Sequence, residues 1–157
     1  MLPSTTSRVE RNTAESVNRE IQQKTEENIA YFAENPHKIE QRLYELEQEW
    51  DIERTLEANA STLNLIGITL AAAGYRRWLW LPAAVSGFLL QHALQGWCPP
   101  IVILRKRGIR TSSEIDLERY ALKALRGDFG GLEDTTALST EERVRKVLVA
   151  LGHKTSF

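Results

Sequence analysis

The chain has 157 residues, 20 Lys and Arg against 21 Asp and Glu, a formal net charge of −1 and a mean hydropathy of −0.35, the size and balance of one domain. With no basic tract long enough to follow a phosphate backbone, nucleic acid is not an expected partner. A single cysteine, Cys98, excludes an internal disulfide and an all-cysteine metal site.

The first ten residues lack the apolar core of a secretory signal, so the amino terminus is expected to stay on the side where it is made. Asn12 followed by Glu15 reads as a helix cap with its reciprocal carboxylate, and Val17, Ile21, Ile29 and Phe32 form a sparse apolar stripe behind it. Asn35 and Pro36 restart a second helix, in which Ile39, Leu43, Leu46 and Trp50 alternate steps of four and three. Its polar face carries Glu45, Glu49, Glu53 and Glu57 in an i, i+4 row that repels itself and calls for a basic neighbour. Residues 1–57 hold 7 basic and 13 acidic side chains, a net charge of −6.

Residues 58–104 hold only two charges, Arg76 and Arg77. The 18 uncharged residues from Ala58 to Tyr75 would make about 27 Å of helix, just short of the roughly 30 Å of bilayer hydrocarbon, and 27 more follow from Trp78 to Leu104. The short link between them predicts an antiparallel hairpin, with Pro82 tolerated in the first turn of its second helix. Tyr75, Trp78, Trp80 and Trp97 fall at the run ends, where interfacial aromatic anchors belong. Small residues recur at one-turn spacing, Gly67 with Ala71 and Ala83 with Gly87, and the second ridge continues into Gln91 and Gln95. Such a ridge lets helix backbones approach, and a glutamine is costly against lipid, so this face is expected to meet protein in a homo-oligomer or a membrane complex. The competing reading is a soluble bundle with the hairpin as its buried core.

After the hairpin, Arg105, Lys106, Arg107 and Arg110 read either as contacts to anionic headgroups or as an ordinary solvated flank, and the adjacent apolar run favours the first. The excess of basic residues from Arg105 to Arg126 over the hairpin tip predicts both termini in the cytoplasm, hence a multi-pass protein of the cell inner membrane in contact with lipid. Thr111 with Glu114 opens a helix through Ile115, Leu117, Ala121, Ala124 and Leu125 that stops at Gly127, and Ser139 with Glu142 opens a last one through Val144, Val147, Leu148 and Leu151, ended by Gly152. The net charge of +4 between Arg105 and Gly127 predicts that this helix packs beside the acidic helix before the hairpin. No segment shows the two-residue alternation of a strand. The expected fold is all-α: a two-helix transmembrane hairpin, 58–104, between an N-terminal helical extension, 1–57, a basic amphipathic helix, 105–127, and a C-terminal linker and helix, 128–157.

Glu53-Arg54 and Asn59 before the hairpin, with Gln95-Gly96-Trp97-Cys98-Pro99 after it, resemble the YgaP-like transmembrane domain family, whose membrane hairpin ends in a Gly-x-Cys-Pro element. The likeness covers about half of the chain, and Pro100 stands where the family pattern has an aliphatic residue. In some members of that family the hairpin is fused to a rhodanese sulfurtransferase domain, which implies a link to sulfur handling and a role as an anchor and dimerisation unit. This chain has no rhodanese domain and no second cysteine to serve as its nucleophile.

Cys98 is the one candidate reactive thiol. The following cations would favour its thiolate for persulfide transfer or redox sensing, whereas packing as a small apolar group is the ordinary alternative. His92 lacks companions for ligation, and Asn35-Pro36 separates Glu34 from His37, so neither metal nor other cofactor is expected. With no phosphate loop, nucleophile elbow or paired catalytic carboxylates, the chain is expected to be a non-catalytic oligomerising anchor or docking subunit. The alternatives are a thiol-dependent accessory acting through Cys98 and a soluble helical-bundle interaction protein.

Overall fold

A computed structural model describes residues 7–130 and 139–150. Their regular structure is entirely helical: α1 (Arg8–Arg11), α2 (Glu15–Glu34), α3 (Ile39–Gln48), α4 (Ile52–Ala72), α5 (Trp80–Gln95), α6 (Pro99–Lys106), α7 (Ser112–Arg126) and α8 (Thr140–Ala150), with 3₁₀ turns at Pro36–Lys38 and Arg76–Leu79. Helix α4 pairs with α5 as a hairpin, α7 lies against α2 and α3, and α6 packs beside the lower part of α4.

Local chemistry sets most of these boundaries. The Thr111 hydroxyl accepts from the Glu114 amide while the Glu114 carboxylate accepts from the Thr111 amide, so both halves of that capping box form, and Gly127 ends α7 in the left-handed region at φ 87°. Ser139 and Glu142 make the same reciprocal pair at the start of α8; Leu151 and Gly152 lie outside the described residues. Asn12 does not cap α2, whose first residue follows Ala14. Its side-chain amide instead donates to the Arg8 and Gln95 carbonyls, fastening α1 to the end of the hairpin.

The helix expected to run unbroken to Glu57 stops at Gln48. Glu49 is extended, and the Asp51 carboxylate caps a new helix by accepting from the Arg54 amide at 2.8 Å. That break divides the acidic row, leaving Glu45 and Glu49 with α3 and Glu53 and Glu57 on α4. It also turns Trp50 out to solvent.

Two buried clusters hold the bundle. Ile39, Leu43, Leu46, Ile115 and Leu122 join α3 to α7, the pairing expected from charge, and Val9, Ile52, Leu56, Cys98 and Ile101 join α1, α4 and α6 around the hairpin base. Leu117 and Leu125, part of the apolar run expected for α7, are exposed.

The transmembrane hairpin and the multi-pass inner-membrane placement are overturned, because no helix among the described residues is long and apolar enough to cross a membrane. Helix α4 spends its first two turns on Glu53, Arg54 and Glu57. The second apolar run is two helices, not one: Gly96 takes φ 74° and ends α5, and Pro99 and Pro100 begin α6. What remains of α5 is 16 residues, about 24 Å against roughly 30 Å of hydrocarbon.

Candidate functional site

The corner Gly96-Trp97-Cys98-Pro99 turns the chain from α5 into α6. A Cβ on Gly96 would lie 2.6 Å from the Arg8 Cβ and carbonyl oxygen, so this position needs glycine both for its left-handed backbone and for the close approach of α1. Pro99 and Pro100 start α6 with two residues that have no N–H to offer. Cys98 is 1% exposed beside Ile52, Leu56 and Ile101. Burial pushes its thiol pKa up, the Ile101 amide opposes that, and the Glu53 carboxylate adds to it. Of the cations expected to favour a thiolate, Arg105 is not free to do so, since it is buried and bidentate to Glu114, both contacts at 2.7 Å.

Above Cys98, Glu53 accepts from Arg8 at 2.8 Å and meets His92 Nε2 at 2.7 Å. The His92 bond, with the nearby Arg8, holds the Glu53 carboxyl below its ordinary pKa against the opposing effect of burial. His92 Nδ1 is buried with no partner, so the dyad passes no hydrogen bond on to the thiol. It ties α1, α4 and α5 together. No cluster of His, Cys, Asp and Glu able to hold a metal occurs among the described residues.

A second polar network, which the sequence reading missed, lies on the other side of the bundle. Glu118 is fully buried and accepts from Arg42 at 2.8 and 3.2 Å and from Arg110 at 2.5 Å, and Arg110 also reaches Glu49 at 2.7 and 2.8 Å. Burial alone would raise the Glu118 pKa, but the two arginines outweigh it and the net shift is downward. A charged residue on an otherwise apolar stripe, such as Glu118 between Ile115 and Leu122, is the sign in the sequence that could have exposed it.

Of the proposed membrane-interface residues, Arg105 is therefore an interior ion pair, while Lys106, Arg107, Tyr75, Trp78, Trp80 and Trp97 are exposed. The two small-residue ridges have different fates. Gly67 is buried against Pro82 and Trp78 within the hairpin, and a Cβ there would fall 2.5 Å from the proline ring, with Ala71 partly covered one turn on. Ala83 and Gly87 are exposed, and a Cβ on Gly87 would meet nothing within 4 Å. Gln95 is exposed, Gln91 is partly so, and neither side-chain amide makes a hydrogen bond among the described residues.

No family model matches the chain, and neither a curated protein nor a solved structure does.

The hairpin surface is the most distinctive feature of the molecule. Eleven large apolar side chains between Leu63 and Leu94 are 42% to 79% exposed. At about half of roughly 200 Å² apiece, they expose on the order of 1,000 Å² of apolar surface in total, spread over both helices and the turn between them.

Proposed function

We propose that this is a non-catalytic helical interaction protein that self-associates through the α4–α5 hairpin. The exposed apolar surface of that hairpin carries the reading, because association removes such surface from water. The ion-paired bundle of α2, α3 and α7 serves as the folded base that projects it.

A second copy of the chain is the partner that best fits the surface. The hairpin walls between Glu57 and Arg76, and between Arg77 and Arg105, carry no charge, so a copy meets no like-charge repulsion there. An amide is both donor and acceptor, so Gln91 and Gln95 are self-complementary across a two-fold axis. Open Gly87 allows backbones to approach as Gly67 already does within the hairpin. Cys98, enclosed and with its thiol pKa raised, supports a packing role ahead of persulfide or redox chemistry.

Sedimentation velocity on wild type and Gly87→Leu tests the interface. The expected result is a wild-type dimer or larger species, shifted toward monomer in the variant with helicity retained. An unchanged oligomer in Gly87→Leu removes this face from the assembly. A monomeric wild type that instead floats with phospholipid vesicles would assign the hairpin to lipid and not to a second copy.

A further inference from the structure

A groove of about 380 Å³ opens at the hairpin base, between α4, α5 and α6. Its walls are Ala60 and Leu63 of α4, Val85 and Phe88 of α5 and Ile103 of α6, and Cys98 borders it from the buried side. Thr55 and Asn59 are its uncharged polar residues, and each is turned to its own helix, the Thr55 hydroxyl donating to the Asp51 carbonyl and the Asn59 amide to the Thr55 carbonyl.

The one charged residue lining this groove is Arg107, the C-cap of α6. Arg107 is exposed and has no carboxylate partner among the described residues, whereas Arg105 and Arg110 on either side are both committed to glutamates. An apolar trough with a single uncompensated cation matches a ligand with one alkyl chain and one anionic end. At roughly 30 Å³ per non-hydrogen atom, the volume one water takes in the liquid, the groove holds about a dozen atoms, which is one chain of about ten carbons with a carboxylate.

We infer that the groove between α4, α5 and α6 binds a single-chain fatty carboxylate, its alkyl tail between Leu63, Val85 and Phe88 and its carboxylate on Arg107. The groove is not the Gly87 face, since Gly87 and Leu89, which borders the groove, lie about 200° apart around α5, but Leu63 and Phe88 belong both to its walls and to the exposed apolar surface of the hairpin. Decanoate uptake is therefore measured on Gly87→Leu as well as on wild type, so that loss of the oligomer and loss of the groove are told apart.

Equilibrium dialysis of the full chain against decanoate, held below its micelle concentration, tests it, with decanol and decyltrimethylammonium as neutral and cationic counterparts. Saturable uptake of one decanoate per chain is expected, with weaker uptake of decanol and least of the cation. Arg107→Gln should weaken decanoate about three- to fivefold, the scale of one exposed ion pair, and leave decanol unchanged. Leu63→Glu, which places a carboxylate on the wall at an exposed position, should abolish decanoate binding while the helical circular dichroism persists. Equal binding of the three ligands, uptake that never saturates, or decanoate affinity indifferent to Arg107→Gln would overturn the inference.

Discussion

Replacing Glu118 with glutamine removes one negative charge from a position with no solvent access, and two arginines lose their shared partner. Breaking a buried ion pair from one side costs about 3–5 kcal/mol where the remaining charge is left alone. Here both arginines keep Glu49, Arg110 at 2.7 Å and Arg42 at 3.9 Å, and Arg42 also keeps Glu45 at 3.2 Å. The expected loss is accordingly smaller, about 2–3 kcal/mol, and with a urea dependence of about 2 kcal/mol per molar it lowers the unfolding midpoint by about 1–1.5 M at fixed protein concentration. Glu15→Gln, which breaks the exposed Arg19–Glu15 pair, is the matched control and should stay within about 0.5 kcal/mol of wild type. A Glu118→Gln variant as stable as that control would refute the claim that the α3–α7 interface depends on this network.

Gly67→Ala forces a methyl against the rigid ring of Pro82 and should destabilise the hairpin by about 1–3 kcal/mol, whereas Gly87→Ala, on an open helix face, should stabilise the monomer by about 0.5–1 kcal/mol; thermal unfolding of both separates them. Acid should unfold the protein through Glu53, Glu114 and Glu118. Their folded pKa values are below the ordinary carboxylate value, so their contribution is complete above the unfolded pKa of about 4.3 and is lost as pH falls through the folded values, a decline that urea midpoints measured from pH 6 to pH 3 will trace. Cys98 should react with a thiol reagent far more slowly in the native protein than in urea, and native labelling at the unfolded rate would contradict its burial.

The helices were legible where the sequence carries its own punctuation. Thr111 with Glu114 and Gly127 bracket α7, and Asn35-Pro36 marks the turn before α3, because caps and proline act within a few residues. The break at Glu49–Asp51 was not legible, since the apolar period runs on to Trp50 and Asp51 competes with it only through one capping bond to the Arg54 amide. Nor was the division of the second apolar run, although Gly96 and the proline pair supplied the signal; a run counted by absence of charge ignores backbone conformation. Ala83, Gly87, Gln91 and Gln95 share a face by spacing, and of these Ala83, Gly87 and Gln95 are exposed and Gln91 partly so. Fates of individual cations could not be read. Arg105 and Arg107 are two residues apart, yet one is enclosed by Glu114 and the other is open, a difference made by tertiary packing alone.

Two copies are proposed to meet across the Gly87 face of α5. Gly87 lies at the middle of the sixteen-residue helix, so parallel and antiparallel two-fold pairings both bring it near its own copy. A Gly87→Cys substitution in a Cys98→Ser background, mildly oxidised at low protein concentration, should yield a covalent dimer on a nonreducing gel. A cysteine introduced at Val85, which faces the groove, should not. Absence of the Gly87→Cys dimer, or equal cross-linking from Val85→Cys, would contradict the account.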